Sequence, residues 1–192
     1  MSNYEFKDYD FEKPSFLHII LDSTLMNLLA PFIYGKYYDT FNLKGDEKVL
    51  DFGSGGGLGA RELAKRLPYR GELWCVDTST YWTNKAKKRL NKFKNVKFYV
   101  GDIKNKDIPK GYFDVITINA VLHDITPAQR QEVIMNLVKK LKQGGKLLIQ
   151  EPIEPSHGME IKEIQLILNN ANLKEASHSV KRSAYQGVYV DR

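Results

Sequence analysis

Short apolar runs alternate with amphipathic segments from Asn42 to the end of the chain. The first run, Lys48–Phe52, predicts a buried strand, and the apolar positions of residues 58–67 then recur with helical spacing. Further strands are expected at 71–77, 95–100, 113–118 and 146–150, with a closing pair at 174–180 and 185–190. Helices are expected at 81–91, 127–141 and 159–170, with Gly144 and Gly145 capping the second of these. This order predicts an α/β fold with a doubly wound, mostly parallel sheet and one antiparallel strand in the closing pair.

Residues 1–45 precede the alternation and differ from it. Residues 15–30 carry apolar side chains on nearly all faces and predict a packed helix, which Pro31 ends or kinks. The segment that follows is short and aromatic-rich. We expect residues 1–45 to form a helical cap or lid and residues 46–192 to form a single domain, with simple packing of the cap on the sheet edge as the alternative.

Composition limits the classes of protein. The 192 residues are 42% apolar and carry both charge signs, as in a globular protein. The single cysteine, Cys75, excludes an internal disulfide and a cysteine-built zinc site, and no metal site is predicted. The polar N-terminus does not match a signal peptide and no membrane span is predicted, so a cytoplasmic protein is expected. The net charge of +6 favours a solvated, lysine-rich helix face over a nucleic-acid surface.

Polar side chains follow the ends of the predicted strands, where ligands of an open parallel sheet bind. The first strand contains Asp51 and ends in the glycine-rich turn 53–57, and the second ends in Asp77. Asp102 follows the third strand. Asn119 and His123 follow the fourth, and Glu151 follows the fifth. The sequence therefore predicts a binding site made of carboxylates and a glycine turn at one sheet edge.

Two nucleotide-like ligands compete for this turn. Residues 55–60 fit the dinucleotide pattern G-x-G-x-x-A, with Asp77 at a suitable separation for a ribose. However, Asp51 lies directly before the turn, and its negative charge would repel a pyrophosphate. S-adenosylmethionine suits the same residues better, because it carries an ammonium group, a sulfonium, a ribose and an adenine but no phosphate.

These motifs together resemble the class I S-adenosylmethionine-dependent methyltransferases, small-molecule enzymes of the type 11/25 kind. The resemblance covers roughly residues 42–192. Residues 51–57 match the family's acid-x-G-x-G-x-G motif, and Asp77 matches its ribose-binding acid. Residues 101–103, 113–123 and 141–147 resemble its adenine-side motif, its fourth-strand motif and the loop and strand that follow.

The resemblance implies a Rossmann-like, seven-stranded sheet whose last strand is antiparallel. It also implies S-adenosylmethionine as cofactor, with S-adenosylhomocysteine as product. The cofactor contacts that it implies are Asp51, Gly53, Ser54, Gly55, Asp77, Thr78, Asp102, Ile103 and Asn119.

The acceptor is less well defined than the cofactor. In-line displacement from a sulfonium needs a base only when the acceptor loses a proton. His123 is the best-placed catalytic candidate, and pocket shaping without proton transfer is its alternative. Tyr38 and Glu151 are candidate substrate contacts. His157 and His178 are predicted to be structural.

Residues 119–122 lack the Asn/Asp-Pro-Pro-aromatic tetrapeptide of many nucleic-acid and protein methylases. The main hypothesis is therefore methyl transfer to a small, partly apolar acceptor. An RNA or protein methyltransferase and a non-catalytic cofactor-binding subunit stay open as alternatives, whereas DNA is not expected as a partner. The methylated atom, the acceptor and the oligomeric state are not predicted.

Overall fold

A computed structural model describes residues 10–68, 70–104, 107–154, 157–181 and 183–191. Its contacts divide the chain into two compact units, Asp10–Asp102 and Ile103–Arg192, called here the N-terminal and C-terminal units. The proposed division into a cap of 1–45 and a domain of 46–192 stays a prediction. Within the described ranges, no helix combines the length and apolar character that a bilayer crossing requires.

The N-terminal unit begins with helices and continues as a parallel sheet. The helical part contains α1 (Phe16–Ser23), α2 (Leu25–Ala30), a π-helical turn (Pro31–Gly35) and α3 (Lys36–Asp39). It is followed by β1 (Lys48–Phe52), α4 (Leu58–Ala64), β2 (Glu72–Asp77), α5 (Thr80–Arg89) and β3 (Val96–Val100). The strands lie in the order β3-β2-β1, all parallel.

The C-terminal unit contains the antiparallel strand. Its elements are β4 (Phe113–Asn119), a 3-10 turn (Leu122–Asp124), α6 (Pro127–Val138), β5 (Leu141–Glu154), β6 (His157–Gly158), α7 (Ile161–Asn170), β7 (Leu173–Lys181) and β8 (Ala184–Asp191). The order is β4-β5-β8-β7, and β6 pairs with β5. Strand β8 runs antiparallel to both of its neighbours. The predicted α/β class, with mostly parallel strands and an antiparallel last strand, is confirmed.

Two local predictions differ from the structure. Helix α6 ends at Val138, and Gly144 and Gly145 lie inside strand β5 instead of capping the helix. The reason is that β5 already pairs with β4 at Leu141, so the glycines form a tight bend within the strand. The single helix expected over 15–30 is broken at Thr24, whose backbone leaves the helical region and whose hydroxyl donates to the carbonyl of Ile20.

Helices α4 and α5 approach each other closely at Gly57. This residue precedes α4 with a left-handed backbone, φ +79°. A Cβ atom there would lie 2.6 Å from Cδ1 of Leu90 and 3.0 Å from Cβ of Ala86. The position therefore combines a conformation that favours glycine with a contact that leaves no room for a side chain.

We expect Gly57→Ala to destabilise the protein more than Gly144→Ala. Gly144 has a similar φ of +71°, but apart from its chain neighbours no atom of the described residues lies within 4 Å of its Cβ position. Both variants carry the backbone penalty of about 1 kcal/mol, and Gly57→Ala adds an overpacking cost of about 1–3 kcal/mol. Urea unfolding of the two variants measures the difference, and equal losses would contradict the steric argument.

Candidate active site

The glycine turn after β1 lies against the end of β2. The amides of Gly53 and Ser54 both donate to the carbonyl of Val76, at 2.8 and 3.2 Å. Gly55 has a left-handed backbone, φ +49°, and apart from its chain neighbours no atom of the described residues lies within 4 Å of its Cβ position. The turn therefore presents bare backbone towards open space, and only glycine keeps both properties.

Asp77, the last residue of β2, is hydrogen-bonded to the glycine turn. One of its carboxylate oxygens accepts from the Gly55 amide at 2.7 Å, and the other accepts from the Ser79 amide at 2.8 Å. Burial raises the pKa of Asp77, while these two amide bonds act in the opposite direction. A carboxylate has about four acceptor positions, so each oxygen keeps capacity for a further donor.

Asp51 is a buried negative charge at the start of the turn. Burial raises the pKa of the Tyr34 phenol, and the negative charges of Asp51 and Asp22 raise it further. Burial and Asp51 likewise raise the pKa of Cys75, which keeps the thiol neutral. The acid predicted from the sequence is thus present near the end of the first strand, and its charge acts on the Tyr34 phenol.

The remaining predicted cofactor residues fall on both units. Thr78 and Asp102 are exposed in the N-terminal unit. The amide of Gly101 donates to the carbonyl of Asp77 at 2.9 Å, which brings the chain before Asp102 beside the ribose-binding candidate. Ile103 is buried in the C-terminal unit.

The C-terminal unit also contains Asn119, at the end of β4. Its side-chain oxygen accepts weakly from Gln150 at 3.4 Å. Its Nδ2 is buried and has no hydrogen-bond partner among the residues that the structure describes. The following residue, Ala120, has a left-handed backbone with φ +54°. A strained turn and an unused donor therefore lie together where the fourth strand ends.

Glu151 organises the turn that follows β4. Its carboxylate is fully buried and accepts from the amides of Val121, Leu122 and His123 at 2.9, 2.8 and 3.4 Å. It also lies 2.8 Å from Nδ1 of His123. Burial disfavours the charged form of His123, but the hydrogen bond and charge of Glu151, together with Asp124, raise its pKa.

The other ring nitrogen of His123 faces two further polar groups. Its Nε2 lies 3.1 Å from Nε2 of His157 and 3.4 Å from a carboxylate oxygen of Asp124. Burial raises the pKa of Asp124, although the neighbouring histidines oppose this shift. The buried guanidinium of Arg130 donates to the backbone carbonyl of His123 at 3.1 Å and pairs with Glu163 at 2.6 Å. His157, predicted to be structural, is thus part of this cluster, and no local sequence pattern indicates it.

A second contact that sequence reasoning missed holds the first helix against the glycine turn. Arg89 donates to the carbonyl of Gly56 and, at 2.9 Å, to the carboxylate of Asp22. Lys85 also pairs with Asp22, at 2.7 Å. Burial alone raises the pKa of Asp22, but the hydrogen bonds and charges of Arg89 and Lys85 outweigh burial and hold it below its usual range. No local sequence pattern indicates this contact, because Asp22 lies 67 positions from Arg89.

Tyr38 lies in the core of the N-terminal unit. Its ring is almost fully buried and packs with those of Tyr34, Tyr37 and Phe41. A Cβ at Gly59 would lie 2.7 Å from its hydroxyl oxygen, so α4 requires a glycine there. The structure thus shows a packing role for Tyr38, and its contact with a substrate stays a prediction.

Half of the chain is similar to a known protein family. Residues 49–145, half of the chain, match the family model described as "Methyltransferase domain". A ubiquinone/menaquinone biosynthesis C-methyltransferase, UbiE of Neisseria meningitidis, is 29% identical over 114 residues. That alignment covers 59% of this chain and 46% of the relative, so the chain matches less than half of the relative's length.

Solved structures show the same fold. A putative S-adenosyl-L-methionine-dependent methyltransferase of Methanococcus maripaludis has a TM-score of 0.77 at 16% identity, covering 98% of this chain and 97% of that one. The N-methyltransferase NodS of Bradyrhizobium japonicum, solved with S-adenosyl-L-homocysteine, has a TM-score of 0.66 at 19% identity, covering 84% and 88%. At these identities the likeness establishes the Rossmann-like fold.

We expect Asp22→Asn to lower the free energy of unfolding by about 2 kcal/mol at pH 7, because Arg89 and Lys85 lose a buried charged acceptor. The pKa of Asp22 is lowered in the folded state. The ionised carboxylate therefore makes its full contribution to the free energy of unfolding at pH values above the unfolded-state pKa of about 3.9. The contribution is lost as the pH falls below that value through the folded pKa. Urea unfolding of wild type and variant at pH 7 and at about pH 3 measures whether the difference between their free energies of unfolding becomes smaller in acid.

Asp39→Asn is the matched control. Asp39 pairs with Arg66 at 2.6 Å, but its side chain is 68% exposed. Its loss should cost less than about 1 kcal/mol. If Asp22→Asn and Asp39→Asn cost the same at pH 7, or if the Asp22 difference does not shrink in acid, the buried pair does not carry the stability assigned to it.

Proposed function

Because the chain belongs to the class I S-adenosylmethionine-dependent methyltransferase family, we propose that it methylates a small, partly apolar acceptor. S-adenosylmethionine is the methyl donor of the family. The observation that carries the proposal is the Gly55 turn, whose bare backbone faces open space beside the Asp77 carboxylate. When bound, the cofactor supplies a methyl group already activated for in-line displacement.

The chain's residues fit such a ligand in three ways. Asp77 keeps an acceptor position on each oxygen, which suits the two hydroxyls of a ribose. Asp51 provides a buried negative charge beside the turn, suited to an ammonium group. Asn119 provides a buried amide donor that has no acceptor in the described part of the chain. The other sequence-predicted cofactor contacts, Ser54, Thr78, Asp102 and Ile103 among them, belong to the same proposal.

The chemistry requires little more of the protein than position and exclusion of water. A base is needed only for an acceptor that loses a proton. His123 stays the sequence-predicted candidate for that step, although its Nε2 faces His157 and Asp124. Glu151 is fully buried and supports His123, so its predicted contact with a substrate would require it to leave these bonds.

The relatives support a small acceptor. The name of UbiE refers to ubiquinone and menaquinone biosynthesis and to methylation at carbon. A prenylated quinol is a small, partly apolar molecule of the kind proposed here. The carbon specificity itself is not transferred, because the alignment covers less than half of the relative.

We expect Gly55→Ala to weaken S-adenosylhomocysteine binding at least about tenfold, equivalent to about 1.4 kcal/mol. The added methyl group would project into the open space where the cofactor is proposed to lie. Gly144→Ala is the control, because it also has a positive φ and an open Cβ position but lies in β5. Titration calorimetry of both variants measures the affinities. Unchanged affinity in Gly55→Ala, with Gly144→Ala also unchanged, would place the cofactor elsewhere.

The acceptor class is tested by methyl transfer from radiolabelled S-adenosylmethionine. We expect label in a reduced, short-chain prenylated naphthoquinone or a related phenol, and none in bulk RNA or a protein extract. Label in RNA or protein alone would overturn the small-molecule proposal. Binding of S-adenosylhomocysteine without turnover on any of these acceptors would favour the non-catalytic subunit.

A further inference from the structure

Three potential metal ligands converge next to the buried Glu151. They are Nε2 of His123, Nε2 of His157 and a carboxylate oxygen of Asp124, and all three atoms lie within 4.8 Å of one another. His123 is buried, Asp124 is half-buried and His157 is exposed. The group is therefore anchored on one side and open to solvent on the other.

Two of the three separations already suit a small divalent ion. In a tetrahedral zinc site with bonds of about 2.0–2.1 Å, neighbouring ligand atoms lie about 3.3 Å apart. The two distances from Nε2 of His123 are 3.1 Å to His157 and 3.4 Å to Asp124. The ligand atoms of His157 and Asp124 lie within 4.8 Å of each other, so binding of an ion would require the exposed His157 ring and the Asp124 carboxylate to move towards each other.

The hydrogen bond on the far side of His123 prepares the ring for this task. Glu151 lies 2.8 Å from Nδ1, so in the neutral ring this carboxylate favours the proton on Nδ1, and the Nε2 lone pair then faces His157 and Asp124. A carboxylate behind a histidine is the usual outer support of a metal-bound imidazole. Here that carboxylate is itself held by three backbone amides, so the ring has a fixed orientation.

The charges around the cluster also favour a cation. Two carboxylates, Glu151 and Asp124, lie beside the two imidazoles. Arg130 is a positive charge beside the cluster, and it lowers the pKa of both His123 and Asp124. Its Nη2 donates to the backbone of His123 and its Nη1 to Glu163, so these two nitrogens are engaged away from the three ligand atoms.

Strand β6 places His157 where the cluster needs it. Its two residues pair antiparallel with Ile153 and Glu154 of β5. A Cβ atom on the neighbouring Gly158 would lie 2.5 Å from the carbonyl oxygen of Pro152. A glycine is therefore required for the close approach that brings this short strand, and His157 with it, against β5.

We propose that His123, Asp124 and His157 bind one divalent transition-metal ion, with Zn²⁺ as the best match. Two imidazoles and one carboxylate are ligands that zinc accepts, and three protein ligands leave a fourth position for water or another oxygen donor. Metal ligation occupies the Nε2 lone pair, so it replaces the general-base role considered for His123. The proposal does not rest on methyl transfer, because binding is measured without cofactor or acceptor.

The experiment is calorimetric titration of Zn²⁺ into the chelator-treated, 192-residue chain. Wild type should bind one equivalent, and His157→Gln and Asp124→Asn should each lose at least about tenfold in affinity. His178→Gln is the matched control, since His178 is exposed and lies 2.5 Å from Glu175 on β7. It should bind zinc as wild type does.

Co²⁺ provides a second readout. Its visible absorption is much stronger in a four-coordinate site than in the hexaaqua ion, so wild type should show these bands and His157→Gln should not.

Urea unfolding of each variant confirms that the fold is retained. Absence of a stoichiometric site in wild type, or equal zinc affinity in wild type, His157→Gln and Asp124→Asn, would overturn the proposal, whether or not the protein methylates its acceptor.

Discussion

The turn after β4 depends on one buried carboxylate. Removing an ionised carboxylate from water costs several kcal/mol unless its oxygens are satisfied, and Glu151 is fully buried. Three consecutive backbone amides and the ring of His123 meet that requirement. The turn therefore cannot move away from β5 without leaving a charge unpaired. This constraint explains how a short 3-10 turn holds both His123 and Asp124 in defined positions.

The N-terminal unit uses the same device at a different place. Asp77 at the end of β2 accepts from the Gly55 and Ser79 amides, and so joins the glycine turn to the start of α5. In both units an acid at a strand end binds backbone amides of a tight turn. The two carboxylates differ in how many acceptor positions remain for a ligand. Asp77 keeps acceptor positions for a ligand, whereas the four donors around Glu151 use its capacity.

Sequence patterns predicted β1 to β4, β7 and β8 to within about one residue at each end, because buried strands leave continuous apolar runs. Strand β5 extends beyond the predicted 146–150 at both ends, and β6 was not predicted. They also placed Asp51, Asp77 and Asn119 at strand ends. They did not reveal the partners of Glu151, since the amides of Val121 and Leu122 belong to any residue type and lie about 30 positions away. His157 was missed for a similar reason, as it reaches His123 across 34 positions through a two-residue strand. The break at Thr24 and the glycine bend in β5 are tertiary effects that local propensity does not encode.

The Asp22–Arg89 contact links the helical segment before β1 to the glycine turn. Arg89 bonds both the Gly56 carbonyl and Asp22, so the position of the turn and the docking of α1 share one guanidinium. Near the other end of the segment, Glu12 accepts from the amides of Thr80 and Tyr81 at the start of α5. Any ligand that orders the turn must therefore favour the docked segment by the same free energy with which the docked segment favours the ligand.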